Sequence, residues 1–171
     1  MDDKKHLPVY GVGPVYGVII IAATVLGIIL SAMGILDFSK VPFLKIPFII
    51  AGIAVAAFGF WVWYKAAFRI DKYIKGNTLC IDGIYAWVRN PCYSGIMLMC
   101  TGALLMANNC ILLILPVIYW IFMTVLMKNT EEKWLLELYG EAYSEYCRKV
   151  NRCIPFPGSN IRQPESGGYD L

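Results

Sequence analysis

The chain has 171 residues, 58% hydrophobic and 16% charged, with a net charge of +3 and a mean hydropathy of +0.59. Apolar residues gathered in long runs at that level exclude a water-soluble globular domain and predict an integral membrane protein. The small positive charge is spread over connecting segments without basic patches of nucleic-acid spacing, so no nucleic-acid partner is expected.

The first element is the uncharged run from Val15 to Leu36, roughly 33 Å long as a helix and enough to cross a hydrocarbon core of roughly 30 Å. It is too long for a cleavable leader, with no small-x-small site after it, and reads as a retained anchor. Around its start, Pro8-Val9-Tyr10-Gly11-Val12 is echoed by Pro14-Val15-Tyr16-Gly17-Val18. This is a local duplication, too short for a repeat architecture, and no strand precedes its glycines to make a dinucleotide site. The second run, Ile46 to Phe68, has Pro47 near its start, where a missing amide hydrogen does little harm, and ends in Trp61, Trp63 and Tyr64, suited to an aromatic belt. Lys65 and Arg69 then leave the membrane. The third run, Tyr93 to Asn108, would be roughly 24 Å long, and it turns at Asn108-Asn109 into Ile111 to Met127. Together they predict a tight, slightly short helical hairpin. Beyond it, Leu135, Leu138, Ala142, Tyr146 and Val150 recur at helical spacing, which predicts an amphipathic interfacial helix broken near Gly140, its aromatic face able to lid a cavity.

The predicted fold is therefore all-α: a polytopic membrane helical bundle of about four spanning helices with a cytoplasmic amphipathic C-terminal helical region. Residues 1–156 form one domain, and residues 157–171, rich in breakers and without periodicity, form a flexible tail. Basic residues set the orientation. Lys4, Lys5, the Lys65 to Arg89 loop and the stretch from Lys128 onward share one side, and Lys40 and Lys45 lie opposite. The positive-inside rule then puts both termini and the central loop in the cytoplasm. Cysteines 80, 92, 100, 110, 147 and 153 form no CxxC pair, and the single His6 sits in the N-terminal tail. Neither a metal site nor a disulfide framework is expected, and the thiols read as small apolar fillers.

Chemistry concentrates in Gly83-Ile84-Tyr85-Ala86-Trp87-Val88-Arg89-Asn90-Pro91-Cys92-Tyr93, immediately before the hairpin, and again after it in Thr130-Glu131-Glu132 and Tyr139-Gly140-Glu141-x-Tyr143-x-x-Tyr146-x-x-x-Val150-x-Arg152. This order of motifs, from about Gly76 to Phe156, resembles the isoprenylcysteine carboxyl methyltransferase and phospholipid methyltransferase superfamily. The resemblance implies a membrane enzyme that takes S-adenosylmethionine from the cytosol and methylates a lipophilic or prenylated acceptor reaching it through the bilayer. It also implies a cofactor pocket built from Asn77, Thr78, Leu79, Cys80, Tyr85, Asn90, Pro91, Cys92, Tyr93 and Glu131.

The residue types suit that cofactor, which joins an ammonium, a carboxylate, a ribose and an adenine around a sulfonium. Glu131 can accept from the ammonium or ribose, backbone from Asn77 to Cys80 can read the adenine edge, and Tyr85 and Tyr93 supply walls and hydroxyls. Pro91 holds Asn90 extended and leaves its side chain free to face the pocket. Methyl transfer from a sulfonium needs alignment and water exclusion more than acid–base help. Arg89, permanently charged and bidentate, is the candidate catalytic residue that holds an acceptor carboxylate or phosphate, with Lys128 a second substrate-binding candidate. Each residue has a plainer role open to it: Arg89 as a headgroup anchor, the two glutamates as partners of a helix N-terminus, and the tyrosines as interfacial aromatics. Two positions depart from the eukaryotic pattern. Asn90 stands where those enzymes carry His, which removes a titratable group, and Met127 with Lys128 stands where they carry an Arg. The alternatives are an NADPH-dependent membrane reductase of the steroid 5α-reductase type and a non-catalytic lipid-binding scaffold.

Overall fold

The computed structural model describes residues 12–76 and 78–155, with 70–76 described by backbone alone. Among the described residues the five α-helices are α1 (Gly13–Ala32), α2 (Lys45–Gly76), α3 (Pro91–Met106), α4 (Ile114–Asn129) and α5 (Glu131–Lys149). No strand occurs among the described residues. Gly13–Ala32, Pro42–Arg69 and Cys110–Asn129 are long and apolar enough to cross a membrane, and Pro91–Met106 is a shorter apolar helix. The protein is thus a multi-pass membrane helical bundle. Helices are what a lipid-spanning chain must form, because hydrocarbon offers no partner to an unpaired backbone group.

Helix ends differ from the apolar runs for local reasons. α1 stops at Ala32 rather than Leu36 because Gly34 takes a φ of +82°. Ile35 N–H then bonds back to Leu30 O at 3.2 Å and Gly34 N–H to Ser31 O at 3.3 Å, the paired bonds of a Schellman ending. α2 does not release Lys65 and Arg69 into a loop but carries them on helix as far as Gly76. α3 starts at Pro91, where a missing N–H costs no helical bond, and is followed by Asn108 at φ 51°.

α2 and α3 approach closely through reciprocal glycines. A Cβ on Gly95 would lie 2.8 Å from Gly59 O, and one on Gly102 would lie 2.5 Å from Gly52 O. Small residues that let backbones meet are a general solution for helices with no hydrophobic drive between them. The core lies on the other side of α3, where Tyr16, Ile20, Leu104, Met123 and Met127 are fully buried between α1, α3 and α4. Thr24 and Tyr119 share a hydrogen bond of 2.9 Å there.

At one end of the bundle, the fully buried Asn109 ties two turns together. Its amide donates to Ser31 Oγ at 3.1 Å and Leu36 O at 2.9 Å, while its oxygen accepts from Ser39 Oγ at 2.5 Å and Ile111 N–H at 3.2 Å. At the other end, α5 bends at Gly140 (φ 52°, ψ −124°), as expected. Its Tyr143 and Tyr146 pack with Val150 on Leu79 and Ile81 of the α2–α3 connection.

Candidate functional site

The connection between α2 and α3 is shaped before it presents any side chain. Asp82 accepts from Arg69 through Nε at 3.1 Å and Nη2 at 2.7 Å, a bidentate pair that pins the loop to the end of α2. Gly83 turns beneath that guanidinium with φ +59°, and a Cβ there would stand 2.8 Å from Arg69 Cζ. A short 3-10 turn over Gly83–Ala86 then buries Tyr85 with Cys80, Ile84, Val62 and Ala66, with Cys92 and Trp87 packed against them. Tyr146 of α5 donates to Tyr85 O at 2.6 Å. Burial, reinforced by Asp82, pushes the Cys80 thiol up to about 12.

Arg89 and Asn90 follow, and the segment after α5 clasps them. Arg89 N–H donates to Asn151 O at 2.9 Å, Asn90 Nδ2 to Arg152 O at 3.1 Å, and Ser94 Oγ to Cys153 O at 2.6 Å. Three successive carbonyls thus fix the start of α3. Asn90 is buried, and its Nδ2 donates to the carbonyl of Arg152 in this clasp, a partner that the sequence did not show.

The Arg89 side chain is 7% exposed and faces Glu132, with Nη1 3.3 Å from Oε1. Arg152 grips the same carboxylate from Nε at 2.5 Å and Nη2 at 2.9 Å. Arg89 Nη1 also meets Cys147 Sγ, while its Nε is buried without a partner. One carboxylate shared by two guanidiniums leaves the group positive. It borders a cavity of about 590 Å³ lined by Trp87, Trp120, Thr124, Cys147, Val150 and Cys153, together with the cations Arg89, Arg148, Lys149 and Arg152.

Glu131, one residue earlier in the first turn of α5, turns to α1 and α3. Its Oε1 accepts from the Tyr93 hydroxyl and from Val12 N–H at 3.1 Å. Its Oε2 has no hydrogen-bond partner among the described residues. Burial raises the Glu131 carboxyl above its ordinary range, and the bonds from Tyr93 and Val12 oppose that rise.

The structure therefore brings the expected residues into three adjoining groups: Cys80, Tyr85 and Cys92; Tyr93 with Glu131; and Arg89. Asn90 and Pro91 join them along the chain. Leu79 is half-buried against α5, and Thr78 is exposed. Lys128 is exposed in the last turn of α4, where it complements the helix C-terminus, and joins none of the groups. Asn77 lies outside the described residues, as do the tail 157–171 and the segment 1–11. Three neighbours of Arg89 escaped the sequence reading: Arg152, Cys147 and the carbonyl clasp. The one signal for them was the Val150-x-Arg152 spacing, which gave no role.

The family model described as phospholipid methyltransferase matches residues 43–142. Over 86 residues the chain is 34% identical to the protein-S-isoprenylcysteine O-methyltransferase of Schizosaccharomyces pombe, a match covering 50% of this chain and 36% of that protein. Over 81 residues it is 37% identical to the protein-S-isoprenylcysteine O-methyltransferase of Saccharomyces cerevisiae, covering 47% and 34% respectively. A Delta(14)-sterol reductase of Mus musculus is 36% identical over 86 residues, 20% of its length. The match spans about a third of the length of the two methyltransferases. No solved structure matches the chain significantly.

Proposed function

The chain belongs to the phospholipid methyltransferase family, and from that premise we propose that it is a membrane-embedded S-adenosylmethionine-dependent methyltransferase whose acceptor is the carboxylate of an apolar, prenylcysteine-like molecule. The observation that carries the acceptor reading is the Arg89 side chain, 7% exposed, bordering a cavity with Nε unpartnered. An anionic ligand in the cavity meets the positive charge that Arg89 and Arg152 retain around Glu132. An amine headgroup would meet repulsion there, which favours O-methylation over N-methylation.

The residues fit the cofactor. Glu131 Oε2 offers a carboxylate oxygen to the ammonium, Tyr85 and Cys92 form an apolar wall with Cys80, and Tyr93 holds Glu131 in place. When bound, S-adenosylmethionine supplies an electrophilic methyl group on a sulfonium. The chain's task is then positioning and exclusion of water. Arg89 orients the acceptor carboxylate, Glu132 and Arg152 orient Arg89, and the clasp from Asn151 to Cys153 fixes the backbone that carries it. Asn90 serves in that clasp and moves no proton. The positive-inside rule, applied to the basic residues of the sequence, supports a site and both termini on the cytoplasmic side, with residues 1–156 acting as one domain.

Calorimetry on protein in nanodiscs tests the reading. S-adenosylmethionine and S-adenosylhomocysteine are expected to bind and NADPH not to bind, with Glu131→Ala weakening both by about tenfold or more, in line with loss of a charge-assisted bond. NADPH binding would instead favour the reductase reading, which the similarity to a sterol reductase keeps in play. Binding of none of the three by folded protein would leave the non-catalytic scaffold.

A further inference from the structure

Among the six cysteines, access leaves three that are exposed or half-buried: Cys92, Cys110 and Cys147. Cys80, Cys100 and Cys153 are buried, and Cys92 packs against the Tyr85 cluster. Cys110 is exposed at the turn before α4, at the far end of α3 from Arg89. Cys147 is half-buried, and it alone among the thiols meets the Arg89 guanidinium and lines the cavity without being buried. A second observation at this place points to an anionic ligand: Arg89, with a side chain 7% exposed, borders the same cavity with an unpartnered Nε.

We infer that Cys147 is a site of reversible S-thiolation, taking an anionic low-molecular-weight disulfide of the glutathione class into the arginine-lined cavity. The inference rests on the reading of that cavity as the place of an acceptor anion only for its effect on methyl transfer, not for the adduct itself. Thiol–disulfide exchange needs the thiolate, reached by a disulfide that can approach it. Arg89 stands against the sulfur, and Arg152 shares the one carboxylate of Glu132 with it, so the carboxylates of the reagent are drawn toward Cys147. The chemistry balances without a further reactant. Cys147 Sγ bonds to one sulfur of the disulfide, whose S–S bond breaks. The other half departs with the electron pair and takes up the proton that Cys147 has lost. The cysteine is oxidised to a mixed disulfide, half of the reagent is reduced to a thiol, and a dithiol reverses the step. The adduct lays its carboxylates against Arg89 and occupies the space an acceptor anion would enter, while Glu131 and Tyr93 stay clear of it. Cys153, the second cysteine of the cavity, is 1% exposed and out of the reagent's reach.

The test uses the full chain in nanodiscs, carrying Cys110→Ser to remove the exposed thiol. It is treated with oxidised glutathione or, at equal concentration, with the uncharged hydroxyethyl disulfide, and adducts are mapped by peptide mass spectrometry. The expected result is a mixed disulfide at Cys147 and none at Cys153, formed about tenfold or more faster with oxidised glutathione, as electrostatic steering allows. Arg152→Gln, which leaves Arg89 and Glu132 as a neutral pair, is expected to bring the two rates toward equality. Adduct formation is further expected to abolish binding of an S-prenylcysteine while leaving S-adenosylmethionine binding within about twofold of the untreated value. Mapping needs no turnover. An adduct at Cys147 in protein that binds no S-adenosylmethionine upholds the thiol site and removes the proposed function. Cofactor binding with equal rates for the two disulfides, or with the adduct elsewhere, overturns the thiol site and leaves the function standing.

Discussion

At Glu131, burial lifts the carboxyl above its ordinary value of 4.5. Between 4.5 and that raised value the folded protein holds a proton that the unfolded chain has released. The Glu131 contribution to stability is therefore full below that window and is lost as pH rises through it. Glu131→Gln should flatten this part of the pH profile of thermal unfolding. Ammonium recognition needs the ionised carboxylate, so S-adenosylmethionine affinity should rise with pH across the same window in the native protein and not in Glu131→Gln, measured by calorimetry. The 12%-exposed side chain of Glu132 holds two guanidiniums. Glu132→Gln should lower stability by about 3 kcal/mol, the cost of stranding a buried charge, read from unfolding in detergent. Of these residues, Glu131, Arg89 and Tyr93 were legible because a motif named them. Arg152 was not, since its partner lies 20 residues away and no periodicity reports a side chain that folds back from beyond α5 onto the first turn of that helix. The clasp on Asn90 was not legible, because nothing in its neighbours shows that a carbonyl 62 residues later takes its amide.

Among elements, the α2–α3 seam offers a sharp test. Gly95→Ala would set a Cβ 2.7 Å from Trp63 Cβ and 2.8 Å from Gly59 O, and Gly102→Ala one 2.7 Å from Ala56 Cβ. Two backbones and a neighbouring helix give way less readily than a side-chain tip, so each should destabilise by about 1–3 kcal/mol. Gly17→Ala, whose Cβ would stand 3.5 Å from Ile96 Cδ1, should be near neutral in the same unfolding assay. Gly140→Ala separates space from conformation: nothing lies within 4 Å, yet φ is +52°, so a loss of about 1 kcal/mol or more should come from the backbone alone. The hairpin and the bend at Gly140 were readable as sequence because hydropathy and a lone breaker decide them. The glycine seam was not, since it depends on the register of two helices, which neither helix specifies alone. The end of α1 was misplaced by the apolar run because Gly34 closes the helix while Ile35 and Leu36 continue the hydropathy.

For the whole molecule, fold class followed from composition: a chain this apolar must satisfy its backbone within helices. Orientation rests on charge alone and has its own test. If the site faces the cytoplasm, a membrane-impermeant maleimide applied to intact cells should label Cys110, exposed at the opposite end of the bundle, and reach Cys147 only after permeabilisation. The reverse pattern would invert the topology. The clasp from Asn151 to Cys153 carries a consequence in time. The carbonyl that fixes Asn90 is made 62 residues after it, roughly 3–12 s later at ribosomal speeds. During that interval the spans can already be inserting while the loop before α3 is unfastened. A message with a stop codon at Asn151 would therefore yield a protein that reaches its membrane, retains every spanning helix and never closes its site.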